Sequence, residues 1–86
     1  MRRAAKVDLS QAAIVAALRK AGNQVESLAA VGRGVPDLIV SRAGKLWLLE
    51  CKTGKGELTP AQREWHGRFP VHIVRDGLEA LRAVGL

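Results

Sequence analysis

The sequence predicts a mixed domain of the α/β (α+β) class, in which three helices surround one small mixed sheet in the order α-β-β-β-α-β-α. Three observations favour this class. Apolar residues recur at helical spacing in some segments, they form short strand-like runs in others, and Gly- or Pro-containing turns separate the segments. With 86 residues, 48% of them hydrophobic, the chain is predicted to form a single domain over residues 1–86.

The first helix is predicted over residues 9–21. Asp8 to Gln11 resembles a capping box, and Gly22 supplies a stop. The predicted apolar stripe consists of Ile14, Val15, Leu18 and Ala21. Asp8 and Gln11 project from nearly the same side as part of this stripe, which offers a polar group a route into an interior site. A first strand is predicted to follow over residues 24–30.

The middle of the chain predicts a hairpin between two flexible basic loops. The second strand is predicted over residues 36–41, because Pro36 is tolerated at a strand start, and the third strand over residues 45–53. Gly44 can take a positive φ in the turn between them. The two loops are residues 32–34 and 54–56.

Two helices and a strand are predicted for the rest of the chain. Thr59 is a good N-cap and Pro60 a good first residue for a helix that runs to about Arg68. A fourth strand covers residues 70–74, and residues 76–79 resemble the capped start of a final helix. The predicted apolar stripes are Leu58, Ala61, Trp65 and Phe69 in the first of these helices, and Leu78, Leu81 and Val84 in the second.

The chain is strongly basic. Fourteen Lys and Arg residues against eight Asp and Glu residues give a net charge of +6 and a sequence pI near 10.5. Both halves of the chain carry part of the surplus, so it is not a charged tail. A basic surface of this kind favours a polyanionic partner such as nucleic acid, and the alternative is an ordinary basic protein without such a partner.

The cysteine content, the histidine spacing and the hydropathy argue against a disulfide-stabilised protein, a zinc site and a membrane protein. Cys51 is the only cysteine, so no internal disulfide is possible, and a lone cysteine suits a reducing cytoplasm. His66 and His72 lack metal-ligand spacing, and we interpret them as surface or boundary residues. No segment approaches the roughly 20 apolar residues of a membrane span, and we expect neither a signal segment nor a membrane partner.

Two acids and a lysine lie near the ends of two apolar runs, residues 38–40 and 46–49. Asp37 directly precedes the first run, and Glu50 directly follows the second. Lys52 shares a strand face with Glu50, because successive side chains alternate. If the two runs are neighbouring strands, Asp37 and Glu50 can share one divalent metal beside a cation, an arrangement that suits hydrolysis of a phosphodiester.

Each of these residues also has a purely structural interpretation. Pro36-Asp37 is then a turn before a strand, while Glu50 and Lys52 form an exposed ion pair, although the leucines before them argue against full exposure. Gln62 lies on the apolar side of its predicted helix. It either bonds to backbone at the helix boundary or reaches the site to hold Lys52, a water or a phosphate oxygen.

Three separated blocks of the chain resemble one nuclease family. Pro36-Asp37 together with Glu50-Cys51-Lys52 resembles the PD-(D/E)xK signature of the restriction-endonuclease-like superfamily. The resemblance to its VRR-NUC branch, the virus-type replication-repair nucleases, covers nearly the whole chain. It rests on residues 34–40, 49–53 and 56–66, on the helix that contains Gln11, and on the closing strand and helix.

The resemblance implies a restriction-endonuclease-like core and a structure-directed DNA endonuclease that depends on Mg²⁺ or Mn²⁺. By position, Asp37 and Glu50 take the metal-ligand roles, helped by the backbone carbonyl of Cys51. Lys52 orients or activates the attacking water, and Gln62 is the supporting helix glutamine. In-line attack is then expected to leave a 5′-phosphate.

Further expectations concern the first helix, the DNA and the partners. Many relatives carry a Glu on the first helix that completes the metal site; here either Asp8 replaces it or Gln11 contacts a metal-bound water. Arg33, Lys55 and Arg63 are candidate contacts to the phosphates of duplex DNA. The resemblance implies branched DNA such as junctions or flaps as substrate, a homodimer with two sites, and the cytoplasm of a bacterial or phage-infected cell.

Two rival interpretations remain open. One is a catalytically inactive DNA-binding module with the same fold, which the intact Asp37, Glu50 and Lys52 weigh against. The other is a small protein-interaction domain whose basic charge is incidental. Metal-dependent cutting separates the nuclease from both, and DNA affinity in EDTA separates the two rivals from each other.

Overall fold

Helices and strands follow one another in the order α-β-β-β-α-β-α over residues 2–86, as the sequence predicts. The computed structural model describes the backbone of residues 2–86 and the side chains of residues 11–86. The helices are α1 (Arg2–Lys20), α2 (Pro60–Arg68) and α3 (Gly77–Ala83), and the strands are β1 (Gln24–Ser27), β2 (Leu38–Arg42), β3 (Lys45–Cys51) and β4 (Val71–Val74). None of the helices within the described range is long and apolar enough to cross a bilayer.

The sheet is mixed, with the strand order β1-β2-β3-β4. The first three strands pair antiparallel, and β4 joins the edge of β3 in parallel. The parallel pairing follows from the long connection between them, which contains α2. A two-residue turn joins β2 to β3, and both of its residues, Ala43 and Gly44, have positive φ (54° and 81°). A turn of that kind matches the right-handed twist of the strands, so the predicted hairpin is confirmed.

One face of the sheet packs against α1 and α3 and forms the apolar core. Leu49 at the centre of β3 is fully buried on this face, and Trp47 and Cys51 beside it are partly buried, as a period of two requires. Gly77 at the start of α3 allows the close approach of the two helices, since a Cβ there would lie 3.1 Å from the Cβ of Ala17. The buried core residues are Ile14, Leu18, Val25, Leu38, Val40, Leu49, Val74, Ala80 and Val84.

The opposite face of the sheet carries the alternate residues of β3, and α2 covers only part of it. Gln62 of α2 reaches this face, where its side chain contacts Glu50. No residue of α2 is buried, and Leu46 and Ile73 on the sheet remain 68% and 40% exposed. The domain therefore has one apolar core and, on its other side, a thinly covered face that bears the charged residues.

The start of the first helix differs from the prediction. The helix begins at Arg2 and not at residue 9, so the predicted capping box at Asp8–Gln11 is wrong. The sequence before Gly22 contains neither Gly nor Pro, and its alanines favour helix, so nothing interrupts the helix there. Gly22 has φ 95° and follows the helix end, as predicted. Ala21 is consequently outside the helix and exposed.

The strands beside the Asp37 segment are shorter than predicted. β1 ends at Ser27, because the chain turns immediately after it with a 3.0 Å hydrogen bond from the N–H of Val31 to the carbonyl of Leu28. β2 begins at Leu38, two residues later than predicted. The reason lies at Asp37, where the chain bends before it enters the sheet.

The cap of α2 is predicted correctly, and its apolar stripe is not. Thr59 caps the helix through a full capping box. Ala61 is exposed and Phe69 is 38% exposed, because α2 lies over the thinly covered face and not over the core. In α3, Asp76 caps the helix as predicted, but Leu78 is 57% exposed. The helix packs instead through Ala80, Val84 and, in part, Leu81.

Candidate active site

The strand register brings Asp37 and Glu50 together. Leu38 of β2 is paired with Leu49 of β3, and both side chains are buried in the core. The residues one step beyond this pair, Asp37 and Glu50, therefore face each other across the two strands on the opposite face. Asp37 is half-buried, and Glu50 is only 2% exposed.

Hydrogen bonds fix Asp37 on both of its sides. The amide N–H of Cys51 donates to Oδ2 of Asp37 over 2.7 Å, so the carboxylate takes the place of a backbone acceptor at the end of the ladder. The amide N–H of Leu28 donates to the Asp37 carbonyl over 2.8 Å. These two hydrogen bonds use Oδ2 and the backbone carbonyl of Asp37, and they leave Oδ1 unused.

The carbonyl of Cys51 points toward Asp37 as well. In an antiparallel pair, the N–H and C=O of one residue face the same neighbouring strand. The N–H of Cys51 donates to Asp37, so the Cys51 carbonyl lies on that side too. The next amide, that of Lys52, faces the other way and donates to the carbonyl of Val74 in β4. Pro36 stands opposite Cys51 if the pairing is continued past Leu38, and proline has no N–H to donate. The ladder thus offers the Cys51 carbonyl no donor, which suits its predicted role as a metal ligand.

Glu50 is the centre of the cluster. Its Oε2 accepts a 3.1 Å hydrogen bond from Nε2 of Gln62 and lies 3.9 Å from Nζ of Lys52. Its Oε1 is buried and has no hydrogen-bond partner. The pKa of Glu50 is raised to about 7, first by burial and then by the nearby charge of Asp37, while the charge of Lys52 offsets part of the shift.

Gln62 belongs both to the helix cap and to the cluster. Its Oε1 accepts a 2.9 Å hydrogen bond from the N–H of Thr59, which completes the capping box. Its Nε2 is therefore the atom that faces Glu50. The cap fixes the amide orientation, since a flipped amide would lose both hydrogen bonds. The interpretation of Gln62 as a residue that reaches the site agrees with this geometry.

The donor set fits a hard divalent cation. A buried carboxylate oxygen without a donor carries an electrostatic cost that either a proton or a metal relieves. Asp37, Glu50 and the Cys51 carbonyl offer only oxygen ligands, which Mg²⁺ and Mn²⁺ prefer. Within residues 11–86, no group of three or more His, Cys, Asp or Glu side chains is arranged to hold a metal, so water and substrate oxygens would complete the coordination.

Of the two predicted first-helix residues, only Gln11 has a described side chain, and it does not hydrogen-bond to the cluster. The side chain of Asp8 lies outside the described residues. Gln11 is half-buried and lines a groove of about 480 Å³ between α1 and Ala29. Ala29 follows Leu28, which bonds to Asp37, so Gln11 lies near the Asp37 segment. Among the described side chains, Gln11 makes no hydrogen bond to Asp37 or to any other member of the cluster.

The three predicted phosphate contacts lie on segments that border the cluster. Arg33 is exposed in a loop whose next residue, Gly34, packs against Ala61 at the start of α2. Lys55 is exposed in the loop that follows β3. Arg63 directly follows Gln62, and its side chain is 64% exposed, with a loose 3.9 Å approach to Glu57 that contributes little in water.

Two further residues at the site were not identified from the sequence. The side chain of His66 is half-buried, which agrees with our interpretation of it as a boundary residue, but its Nε2 is buried without a hydrogen-bond partner. Its spacing of four residues from Gln62 was the available signal. Arg75 donates a 2.6 Å hydrogen bond to the carbonyl of Gly54 and so holds the Lys55 loop, a contact with no local sequence signal.

The thiol of Cys51 is not a reactive group here. Burial raises the pKa of Cys51 to about 12, and the charges of Asp37 and Glu50 add to the shift. The thiol remains protonated at neutral pH, so the chemistry of this cluster belongs to its oxygens and to Lys52.

Comparisons of this chain with models of protein families, with curated proteins and with solved structures find no match.

Proposed function

We propose that this protein is a metal-dependent DNA endonuclease of the PD-(D/E)xK type, with a restriction-endonuclease-like core and membership of the VRR-NUC branch. The observation that carries the proposal is the arrangement around Glu50. A buried carboxylate faces Asp37, contacts Lys52 and Gln62, and keeps one oxygen without a partner. Four residues singled out from three separate sequence blocks thus meet at one point on an open face of the sheet.

Asp37, Glu50 and the carbonyl of Cys51 would hold Mg²⁺ or Mn²⁺. When bound, the metal supplies Lewis acidity toward a phosphate oxygen and lowers the pKa of a coordinated water. Lys52, with a side chain only 16% exposed, keeps its ammonium beside Glu50. From that position it stabilises negative charge that develops on the phosphoryl oxygens and orients the attacking water.

Gln62 supports this arrangement from the helix. Its Nε2 occupies one lone pair of Glu50 Oε2 and thereby fixes the direction of the carboxylate. Because the same side chain caps α2, the orientation of the carboxylate is tied to the position of the helix. Arg33, Lys55 and Arg63 would hold the phosphate backbone of the DNA around the cluster without reading bases.

The proposed substrate is branched duplex DNA, and the proposed active form is a homodimer. Two copies would place two sites on the two strands of a branch point. Leu46 and Ile73, which are 68% and 40% exposed on the thinly covered face, provide apolar surface for a second copy to cover. Light scattering coupled to size-exclusion chromatography measures the oligomer directly, and a monomer at micromolar concentration would contradict the dimer.

The proposal is tested by cleavage of a matched DNA panel with Mg²⁺ or Mn²⁺. The panel contains a four-way junction, a 5′ flap, a splayed arm, a linear duplex and a single strand. We expect cutting of a branched substrate that is lost in EDTA and in Asp37→Ala. Cutting that survives in Asp37→Ala would point to a contaminating nuclease.

The second candidate is a DNA-binding module that does not cut. One observation favours it: the described residues provide only two side-chain metal ligands, so the site would hold a metal weakly. This candidate predicts DNA binding that is equally tight with Mg²⁺ and with EDTA, and no cleavage of any substrate in the panel.

A further inference from the structure

His66 lies on the face of α2 that points to the cluster. It follows Gln62 by four residues, and side chains at this spacing are neighbours on one side of a helix. Gln62 shows where that side faces, because its Nε2 contacts Glu50. His66 is therefore one helical turn further along the same cleft between α2 and the sheet.

Nε2 of His66 is a buried polar atom without a partner. The side chain is half-buried, and this ring nitrogen makes no hydrogen bond within the described residues. A buried polar atom without a partner destabilises the folded protein, so we expect Nε2 of His66 to accept a hydrogen bond from a nearby donor.

Lys52 has donors to spare. Its ammonium approaches Glu50 Oε2 only to 3.9 Å, although an ammonium has three N–H groups. Burial, followed by the positive charge of Lys52, lowers the pKa of His66. Lys52 Nζ and Gln62 Nε2 both approach Glu50 Oε2, so the ammonium lies beside the helix face that carries His66. With its pKa lowered, the ring is neutral at neutral pH. A neutral imidazole has one nitrogen with a free lone pair, and a neighbouring ammonium favours the tautomer that turns this lone pair toward it.

We infer that His66 is a positioning residue for Lys52: its Nε2 lone pair accepts a hydrogen bond from the Lys52 ammonium and holds that group beside Glu50. The flexible lysine side chain is then restrained from two directions, by the carboxylate and by the ring. The contact itself is independent of any activity, and its consequence for cleavage rests on the proposed function.

The contact is tested first without DNA or metal. Long-range ¹H–¹⁵N correlation spectra report which ring nitrogen of each histidine carries the proton. We expect His66 to be protonated on Nδ1 with a lone pair on Nε2, and Lys52→Met to shift the Nε2 resonance. His72, which is exposed on β4, serves as the internal control and should not respond. A proton on Nε2 of His66, or a Nε2 resonance that Lys52→Met leaves unchanged, would overturn the inference.

The consequence for catalysis is tested with His66→Met, His66→Gln and the control His72→Met. We expect His66→Met to lower the single-turnover rate about 10–100-fold at unchanged DNA affinity, because only the orientation of Lys52 is lost. His66→Gln, which offers an acceptor at a similar reach, should restore most of the rate. Equal loss in both variants would overturn the positioning role. If the unmodified protein cuts nothing while the spectra show the contact, the nuclease proposal fails and the His66–Lys52 contact stands.

Discussion

The amide of Gln62 joins helix α2 to the buried carboxylate of Glu50. One end of this amide, Oε1, accepts the N–H of Thr59 over 2.9 Å and closes the helix cap, and the other end, Nε2, donates to Glu50 Oε2 over 3.1 Å. No residue of α2 is buried, so the helix has little apolar packing to hold it. The hydrogen bond from Gln62 therefore couples a lightly packed helix to the most buried charged group among the described residues.

This double role gives Gln62→Glu a distinctive expected effect. Glutamate keeps the acceptor for the cap, but it loses the donor and places a second negative charge against Glu50. We expect helix content measured by circular dichroism to be preserved and the cleavage rate to fall by about 10-fold or more. The matched control is Gln24→Glu, at an exposed position on β1. A Gln62→Glu protein that cuts as fast as the control would show that the Glu50 contact is unimportant.

Glu50→Gln should stabilise the metal-free protein while it abolishes cleavage. The folded pKa of Glu50 is about 7 and the ordinary value is 4.5, so the folded state holds a proton that the unfolded state releases between these values. The free energy of unfolding consequently falls as pH rises from about 4.5 to about 7, and the penalty is complete above that window. Glutamine has no charge to bury, and its amide can donate to Asp37.

The measurement for this variant is urea denaturation in EDTA at several pH values. We expect Glu50→Gln to raise the free energy of unfolding by about 2 kcal/mol above pH 7, with the gain vanishing toward about pH 4.5. Glu26→Gln, at an exposed position on β1, is the control. Its free energy of unfolding should follow that of the unmodified protein at every pH, without the gain expected for Glu50→Gln. A gain that is the same at all pH values would contradict the assignment of this titration to Glu50.

Metal binding should stabilise the protein through Asp37. A ligand that binds only the folded state raises the free energy of unfolding, by about 2.7 kcal/mol at a hundredfold excess over Kd. The melting temperature rises as a result. We expect Mn²⁺ to raise the Tm of the unmodified protein, EDTA to reverse the rise, and Asp37→Asn to show none. Asp76→Asn is the control, because asparagine also serves as an N-cap at that helix start. An equal Mn²⁺ effect in Asp37→Asn would place the metal elsewhere.

The close contact of Gly34 with α2 predicts a sensitive position. A Cβ at Gly34 would lie 2.5 Å from the carbonyl carbon of Ala61, and the residue has φ 82°. Gly32 has φ 70° with nothing within 4 Å of its Cβ position, so Gly32→Ala carries similar backbone strain without the clash. We expect Gly32→Ala to cost about 1 kcal/mol and Gly34→Ala about 1–3 kcal/mol more, measured by urea denaturation. Equal losses of unfolding free energy in the two variants would mean that the loop moves away from α2 and relieves the clash.

Local sequence patterns were sufficient to predict the order of the strands and the position of Asp37 opposite Glu50. Gly44 marks the hairpin, and the apolar runs on either side set the pairing that brings Asp37 opposite Glu50. Lys52 follows from the period of two. These relationships depend on neighbours along the chain and across one tight turn, which is why their prediction succeeded.

The contacts that span distant segments could not be predicted. The near-complete burial of Glu50 depends on how closely α2 lies over the sheet. Arg75 reaches the carbonyl of Gly54 from the far end of β4. Such contacts are set by the crossover geometry and carry no periodicity that a sequence would reveal.

The central claim is tested most directly by Lys52→Ala, compared with the unmodified protein on a four-way junction in Mg²⁺. Single-turnover cleavage and DNA binding are measured on the same preparations, and Lys45→Ala, at an exposed position at the start of β3, is the control. We expect Lys52→Ala to fold and to bind the junction with nearly unchanged affinity, yet to lose cleavage. A folded Lys52→Ala protein that cuts the junction at the rate of the control would contradict it.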